Sequence, residues 1–264
     1  THTTVKKTGA RIFTCHTCGF VRVPEDDEHE TCHSCGGWRL GALGIGTERI
    51  QEEVKKFFPN TPHVIFDGEH ITTRAQAKKC IAQFEEHPHS ILIGTPMAVP
   101  YLTSADHIVI ISLDSLFAIP DFRINENIFA LVLTLREKAT SSLLVQTRAD
   151  DTTLYIQALA GDLLTFSENE LALRKAFSYP PYSTIIKIIL RGTKEEFPEK
   201  IALLKTFLAP FEIITPNTVS KEPKNTYRTH AILKLTTWPD EKLITKLRAL
   251  PPEFTIDVNP DHLL

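Results

Sequence analysis

The sequence predicts an α/β chain built as a cysteine-rich zinc-ribbon module, a mostly parallel sheet flanked by helices, and a small α+β domain at the C-terminal end. Three observations carry this prediction. Two Cys-x-x-Cys-Gly pairs stand between positions 15 and 36 of the 264 residues. From Val64 to Thr147, short apolar runs without alternation take turns with stretches whose apolar residues recur at helical spacing, as in parallel strands joined by helices. Beyond Tyr179-Pro180-Pro181-Tyr182 the two kinds of pattern alternate again in shorter pieces. The predicted domains are therefore 1–43, 44–178 and 179–264.

In the first domain, Cys15, Cys18, Cys32 and Cys35 supply four sulfurs at the spacing that lets a backbone curl around a tetrahedral Zn²⁺. Gly19 and Gly36 follow the second cysteine of each pair, where the absence of a Cβ permits the tight turn. A pair of disulfides is the alternative. The polar start, THTTVKK, has no signal-peptide pattern and the fifth cysteine, Cys80, lies far off, so a reducing, cytoplasmic setting and zinc are expected. Four thiolates leave the metal no open position, so it would stabilise or dock and not catalyse. His29-Glu30-Thr31-Cys32-His33 fits the zinc-protease pattern H-E-x-x-H, but that chemistry needs one helix face, and Gly36-Gly37 end any helix there within a turn.

The second domain opens at Thr47, a predicted cap for a helix with Ile50, Val54, Phe57 and Phe58 on one face and Pro59 as its stop. Val64 to Phe66 reads as a strand and Thr73 to Glu86 as a helix facing inward through Ala77, Ile81 and Phe84, with Cys80 as a semi-buried structural thiol. Ile91 to Ile93 and Ile108 to Ile111 read as strands buried on both faces, Asp121 to Lys138 as a helix, and Leu143 to Val145 as a further strand. One helix is predicted over 152–177. In the third domain the strands are 185–190, 231–235 and 254–258, and the helices are 194–208 and 240–250.

Composition excludes some partners. No apolar run reaches the roughly 18 residues of a membrane span, and a net charge of −3 gives no global basic field. DNA contact must then be local. Lys221, Lys224, Arg228 and Lys234 stand against a single acid, Glu222, with Tyr227 among them; such a loop suits phosphates, with the tyrosine stacking on a base, or is simply an exposed connection between strands. Trp38 either packs over the second cysteine pair or anchors a partner protein. The start at Thr1 without an initiator Met leads us to expect the C-terminal part of something longer.

Taken in order, the paired knuckles, GIGTERI (Gly44 to Ile50), ILIGTPM (Ile91 to Met97), PDFR (Pro120 to Arg123), VQT (Val145 to Thr147), ENELALRKAFSYPPY (Glu168 to Tyr182) and the terminal DVNPDHLL resemble the primosomal protein N′ (PriA) family. The likeness runs in register over nearly the whole chain. It implies an ATP-dependent 3′→5′ DNA helicase that restarts stalled replication forks, with DNA, other primosome proteins and single-stranded DNA-binding protein as partners. In that family the zinc module is inserted in the second RecA-like lobe and a small domain follows. The resemblance also leaves two ligations open, because family members carry two zincs on four interleaved cysteine pairs: one ion on the four cysteines here, or one pair belonging to each of two ions.

The departures from the family concern the motor. Phosphoryl transfer requires a phosphate loop, a carboxylate for Mg²⁺ and arginines at the γ-phosphate. The chain has no G-x-x-x-x-G-K-[ST], so ATP and Mg²⁺ are implied only with an upstream lobe. The family's Gln followed by Gly-Arg-Ala-Gly-Arg is matched by Ala130 to Ser141, with neither glycine nor arginine in register. Its Lys-Gly after the strand turn is replaced by Val99-Pro100-Tyr101-Leu102. The nucleotide-contact candidates that remain are Gly94, Thr95, Arg136 and Lys138. Asp27-Glu28-His29 is similar to a helicase acidic box, but no apolar strand precedes it. A DNA-binding docking module without its own ATPase is the expected function, and an active helicase of which this is one lobe is the alternative.

Overall fold

In this computed structural model the described residues are 46–261 and 263, apart from 115, 119–120, 216–218, 222–225 and 239, together with the backbone of four short strands nearer the N-terminus; of 118, 220 and 221 the backbone alone is described. These four strands, β1 (His2–Val5), β2 (Arg11–Thr14), β3 (Val21–Arg22) and β4 (Gly41–Ala42), form a sheet in the order β3-β2-β1-β4. Phe13 pairs with Arg22 and Thr14 with Val21, so residues 15–20 connect an antiparallel hairpin. Cys15 and Cys18 fall in that connection, and Cys32 and Cys35 fall between β3 and β4; all four, with His29 to His33, Trp38 and Lys224, lie outside the described residues.

The chain divides into two compact units, one of 43–118 and 124–166, the other of 1–42, 119–123 and 167–264. The first contains two βαβ elements. Its leading helix, α1 (Thr47–Phe57), takes Gly46 as its cap. Thr47 is itself the first helical residue, and its hydroxyl donates to Asp67 Oδ2 at 2.7 Å. The predicted apolar stripe is only half used: Phe57 and Phe58 are 64% and 54% exposed.

In the first βαβ element, β5 (His63–Phe66) and β6 (Ile91–Gly94) run parallel, joined by α2 (Arg74–Glu86). Thr73 and Gln76 close a capping box at the start of α2, as Thr-x-x-Gln ahead of an apolar face should. Ala77, Cys80 and Ile81 bury against Phe66. The Cys80 thiol donates to the Ile65 carbonyl at 3.5 Å, and burial pushes its pKa up.

The second element pairs β7 (Ala105–Ile110) with β8 (Ala139–Val145), again parallel, through α3 (Ile124–Lys138). Two sequence expectations change here. First, α3 starts later than predicted, because the Asp121 carboxylate accepts the Arg123 amide at 3.0 Å and holds a turn there. Second, Val109 and Leu144 face each other across the pair at 55% and 61% exposure. One face of these strands is thus uncovered among the described residues, where burial on both was expected.

The four strands form two separate pairs and not one continuous sheet. Residues 95–104 hold only a 3₁₀ turn, Pro96–Ala98, which is too short for the crossover helix that adjacent parallel strands need. The helix predicted over 152–177 is also divided, into α4 (Thr153–Ala160) and α5 (Leu163–Ala176). Gly161 sits between them at φ 73°, a left-handed conformation that glycine adopts at a helix C-terminus without strain.

The C-terminal sheet consists of β9 (Thr184–Gly192), β10 (Ile213–Ile214), β11 (Ser220–Lys221), β12 (Tyr227–Leu235) and β13 (Phe254–Val258), in the order β10-β12-β9-β13 with β11 also on β12. Two helices, α6 (Phe197–Leu208) and α7 (Glu241–Arg248), pack on one face. Alternate residues Ile186, Ile188 and Leu190 of β9, with Ala231 and Leu233 of β12, bury there against Leu204, Leu208, Leu243 and Leu247.

Three of the sequence motifs meet beside this sheet. Phe122 of PDFR stacks on Tyr179 with 5.3 Å between centroids, and the Arg174 guanidinium lies 5.1 Å over the Phe122 ring. Arg174 also donates to Glu170 at 3.3 Å and to the Pro180 carbonyl at 3.0 Å. Arg123 pairs with Asp261 of the terminal motif at 2.8 Å. These three of the stretches carrying the resemblance are therefore coupled in space.

Candidate nucleic-acid interface

A strand with one face on helices presents every second residue to the other side. In β9 those residues are Ile185, Lys187, Ile189 and Arg191; in β12 they are Arg228, His230, Ile232 and Lys234; Ile185 is 1% exposed, so this face is covered at that end. The register places Arg228 opposite Arg191, His230 opposite Ile189 and Ile232 opposite Lys187, so His230 lies diagonal to both basic residues of β9. On the outer strand β13, Asp257 stands opposite Lys187, and Thr255 Oγ1 accepts from Arg191 at 3.1 Å. Like charges directly opposite each other on antiparallel strands are destabilising. Both signs of charge therefore meet on this face, with Arg191, Arg228 and Lys187 on the basic side and Asp257 on the acidic.

Burial sharpens this. Lys187 and His230 are only 9% and 7% exposed. Burial, followed by repulsion from Arg228, lowers the Lys187 pKa, while Asp257 and Asp121 act to raise it. His230 is held down at about 4, from the ordinary 6.5, by burial and then by Lys187 and Arg228. Its Nε2 is buried with no hydrogen-bond partner.

A pH dependence follows. Between pH 6.5 and 4 the unfolded chain binds a proton on this histidine that the folded chain does not, so its contribution to stability is complete above 6.5 and is lost as pH falls. Allowing for solvent screening, the loss is about 2 kcal/mol. Urea unfolding of the wild type at pH 7 and pH 5, compared with His230→Leu, should show a shallower pH dependence in the variant; equal slopes would contradict it.

The sequence candidates are only partly brought together. Arg228 belongs to the basic face. Tyr227 points the other way: it packs against the core and carries Lys194 Nζ 4.8 Å over its ring. Lys221 pairs through its backbone with Tyr227. Lys234 is tied down, donating to the Phe177 carbonyl at 2.5 Å and lying 4.4 Å over the Tyr179 ring. Arg191, Lys187 and His230 escaped the sequence reading. The signal was present as period-2 polarity in Lys187-x-x-x-Arg191 and Arg228-x-His230, but the run TIIKIILR reads first as a uniformly apolar strand.

The nucleotide-contact candidates separate into two places. Gly94 and Thr95 end β6, where the Thr95 amide donates to the Phe66 carbonyl at 3.1 Å. A Cβ on Gly94 would lie 3.2 Å from Ala98 Cβ and 3.3 Å from the Phe66 carbonyl oxygen, so the backbone approach there is close. Asp67 at the end of β5 is an addition to the same rim. Burial would raise its pKa, but hydrogen bonds from the His70 ring, the Thr47 hydroxyl and the His70 amide outweigh this and bring it to about 2.

Arg136 and Lys138 lie instead in the last turn of α3, at the amino end of β8. Lys138 Nζ donates to the Leu102 carbonyl at 2.5 Å, and Arg136 Nη1 sits 2.7 Å from where a Cβ on Gly161 would be. Thr147 of the VQT motif donates to Asp114 Oδ1 at 2.6 Å. A carboxylate directly after an apolar strand run was the available signal for Asp67. Among the described residues, no group of three His, Cys, Asp or Glu could hold a metal ion, and no helix is long and apolar enough to cross a membrane.

No known family model matches the chain. Among curated proteins, it is 30% identical over 262 residues to the replication restart protein PriA of Thermotoga maritima, covering 94% of this chain and 34% of that protein. Identity to the PriA of Chlamydia muridarum is 31% over 194 residues, 71% of this chain and 26% of the relative. Identity to that of Bacillus subtilis is 29% over 175 residues, with coverages of 64% and 21%. The chain spans about a third or less of the length of these curated relatives.

Proposed function

Since the chain belongs to the replication restart protein PriA family, we propose that it serves replication restart as a DNA-binding, primosomal portion of such a protein, with no ATP hydrolysis of its own. The observation that carries this reading is the basic face of the C-terminal sheet, where Arg191 and Arg228 stand opposite each other and Lys187 lies four residues along β9. Paired arginines suit the backbone phosphates of fork or single-stranded DNA. Other primosome proteins and single-stranded DNA-binding protein are the protein partners we assign by kinship, and the cytoplasm is the compartment.

The missing motor is supported by what the remaining cations do. Lys138 donates to the Leu102 carbonyl, and Arg136 lies beside Gly161; both belong to the last turn of α3 at the amino end of β8, whereas Gly94-Thr95 stand at the carboxyl end of β6. The two βαβ elements suit a RecA-like lobe that keeps its form. A second reading, an active 3′→5′ helicase of which this is one lobe, draws on the close backbone approach at Gly94. We further assign Cys15, Cys18, Cys32 and Cys35 to structural zinc in a ribbon. The donor chemistry fits, and the pairing of β2 with β3 makes the first Cys-x-x-Cys the connection of a hairpin.

The DNA assignment is tested by the salt dependence of binding. Every phosphate that the protein ceases to neutralise takes about 0.9 off the slope of log affinity against log salt. An Arg191→Gln, Arg228→Gln double variant is expected to bind a labelled oligonucleotide more weakly, with a slope shallower by nearly two. Unchanged affinity and slope, with the fold intact, would place DNA elsewhere.

A further inference from the structure

We propose that the exposed aromatic rings at one end of the C-terminal sheet form a base-stacking platform for single-stranded DNA, with Phe177 as its outermost ring. The platform rests on the DNA-binding reading for its ligand. It goes beyond that reading in adding a contact made to bases, at the end of the β9–β12 ladder away from the Arg191–Arg228 pair.

The register places the rings. Leu235 at the end of β12 pairs with Thr184 at the start of β9, so the chain enters the sheet from Tyr182 and leaves it toward Trp238 at the same end. Phe177 is held there too, because its carbonyl accepts from Lys234 Nζ at 2.5 Å. Phe177, Tyr182 and Trp238 are 61%, 42% and 67% exposed. A single exposed apolar side chain needs no explanation, but several at one place mark an interaction surface.

Phe177 also ends a row of rings. Phe122, 9% exposed, stacks on Tyr179 with the two planes 16° apart, and the Phe177 ring follows Tyr179 at 6.5 Å between centroids. Arg174 lies over the first ring and Lys234 over the second. The row is thus anchored in the fold at Phe122 and stops in water at Phe177. Its last backbone is fixed as well. The Tyr179 amide donates to the Arg174 carbonyl at 2.7 Å and the Ser178 amide to that of Lys175 at 3.2 Å, the paired bonds that close a helix around a left-handed residue. Ser178 takes that conformation, at φ 51°, without being glycine. Strained positions of this kind persist where the surroundings determine them and gather at binding sites. Here the result is a large exposed ring on a backbone that loses little freedom when a ligand lands.

The ligand class follows from flat faces set among cations. Every base has a π-face and stacks on aromatic side chains with little regard to sequence. Lys175, exposed in the last turn of α5 two residues before Phe177, suits the phosphate next to a stacked base. Unpaired bases are the ones with faces to offer, which selects the single strand. A second copy of this chain, meeting through the same rings and the 47% exposed Leu173, is the competing occupant.

The test is binding of labelled oligothymidylate to the whole chain, beside a strand of equal length whose sugars carry no bases. Phe177→Ala is expected to weaken the oligothymidylate about five- to hundredfold, the equivalent of one stacked base, with the salt slope unchanged because no phosphate contact is lost. Phe177→Leu, which keeps apolar bulk without the ring, should weaken it similarly, and Phe177→Trp should preserve binding. The baseless strand should bind all four chains alike. Equal oligothymidylate affinity for wild type, Phe177→Ala and Phe177→Leu overturns the platform and leaves the DNA reading standing. An equal loss on the baseless strand also overturns it, since no base is then stacked. Absence of oligonucleotide binding overturns both readings. Self-association that Phe177→Ala abolishes at unmoved DNA affinity overturns the platform in favour of a second copy.

Discussion

A Cys32→Ser chain is expected to lose zinc and the order of its first domain. Where a module is too small to bury a sufficient core, metal ligation supplies the folding free energy, on the order of 10 kcal/mol for four-ligand sites of this kind. The strands of this domain are short: β3 and β4 are two residues each. Among the described residues, only β1 joins the β2–β3 hairpin to β4, and it pairs with β4 at just two residues. Metal analysis of the variant should return less zinc than the wild type, and limited proteolysis should cut within 1–43 first. Full zinc content with an unmoved melting curve would contradict the four-thiolate assignment. If each cysteine pair belongs to a separate ion, metal loss in the variant would be partial, and the stoichiometry decides between the two arrangements.

The second large effect is expected at Arg174. Its guanidinium lies over Phe122, donates to Glu170 and reaches the Pro180 carbonyl, with Arg174 and Glu170 at 9% and 6% exposure. Removing one member of a buried ion pair strands the other charge, at a cost of about 3 to 5 kcal/mol. Arg174→Ala should therefore unfold at distinctly lower urea concentration. The paired change Arg174→Met with Glu170→Leu should recover most of the loss, because it removes both charges of the pair. A single variant as stable as the wild type would remove Arg174 from its place as the joint between Phe122 and the Glu168–Tyr182 stretch.

Local signals made parts of the fold legible. Thr73-x-x-Gln76 ahead of Ala77 and Ile81 located α2, and the apolar runs at Val64, Ile91 and Ile108 located three parallel strands. Other features depend on tertiary context. Gly161 looks like a tolerable glycine within a helix, but Arg136 occupies the space beside it and the chain turns there. The exposure of Val109 and Leu144 is invisible in a run of aliphatics, because hydrophobicity predicts that a face would bury and not whether anything covers it. For the candidate site, Arg228 was legible from its cluster of charges. Arg191, Lys187 and His230 were not, since they lie apart in sequence and meet only through the β9–β12 register.

The central claim is that the protein binds DNA through this sheet while its second lobe lacks a working motor. Its most direct test uses the protein at its natural length, with DNA binding and DNA-stimulated ATP hydrolysis measured on one preparation. The expected result is salt-dependent DNA binding with no stimulated turnover. Turnover of about 1 to 100 per second, as in competent phosphoryl-transfer enzymes, would contradict it.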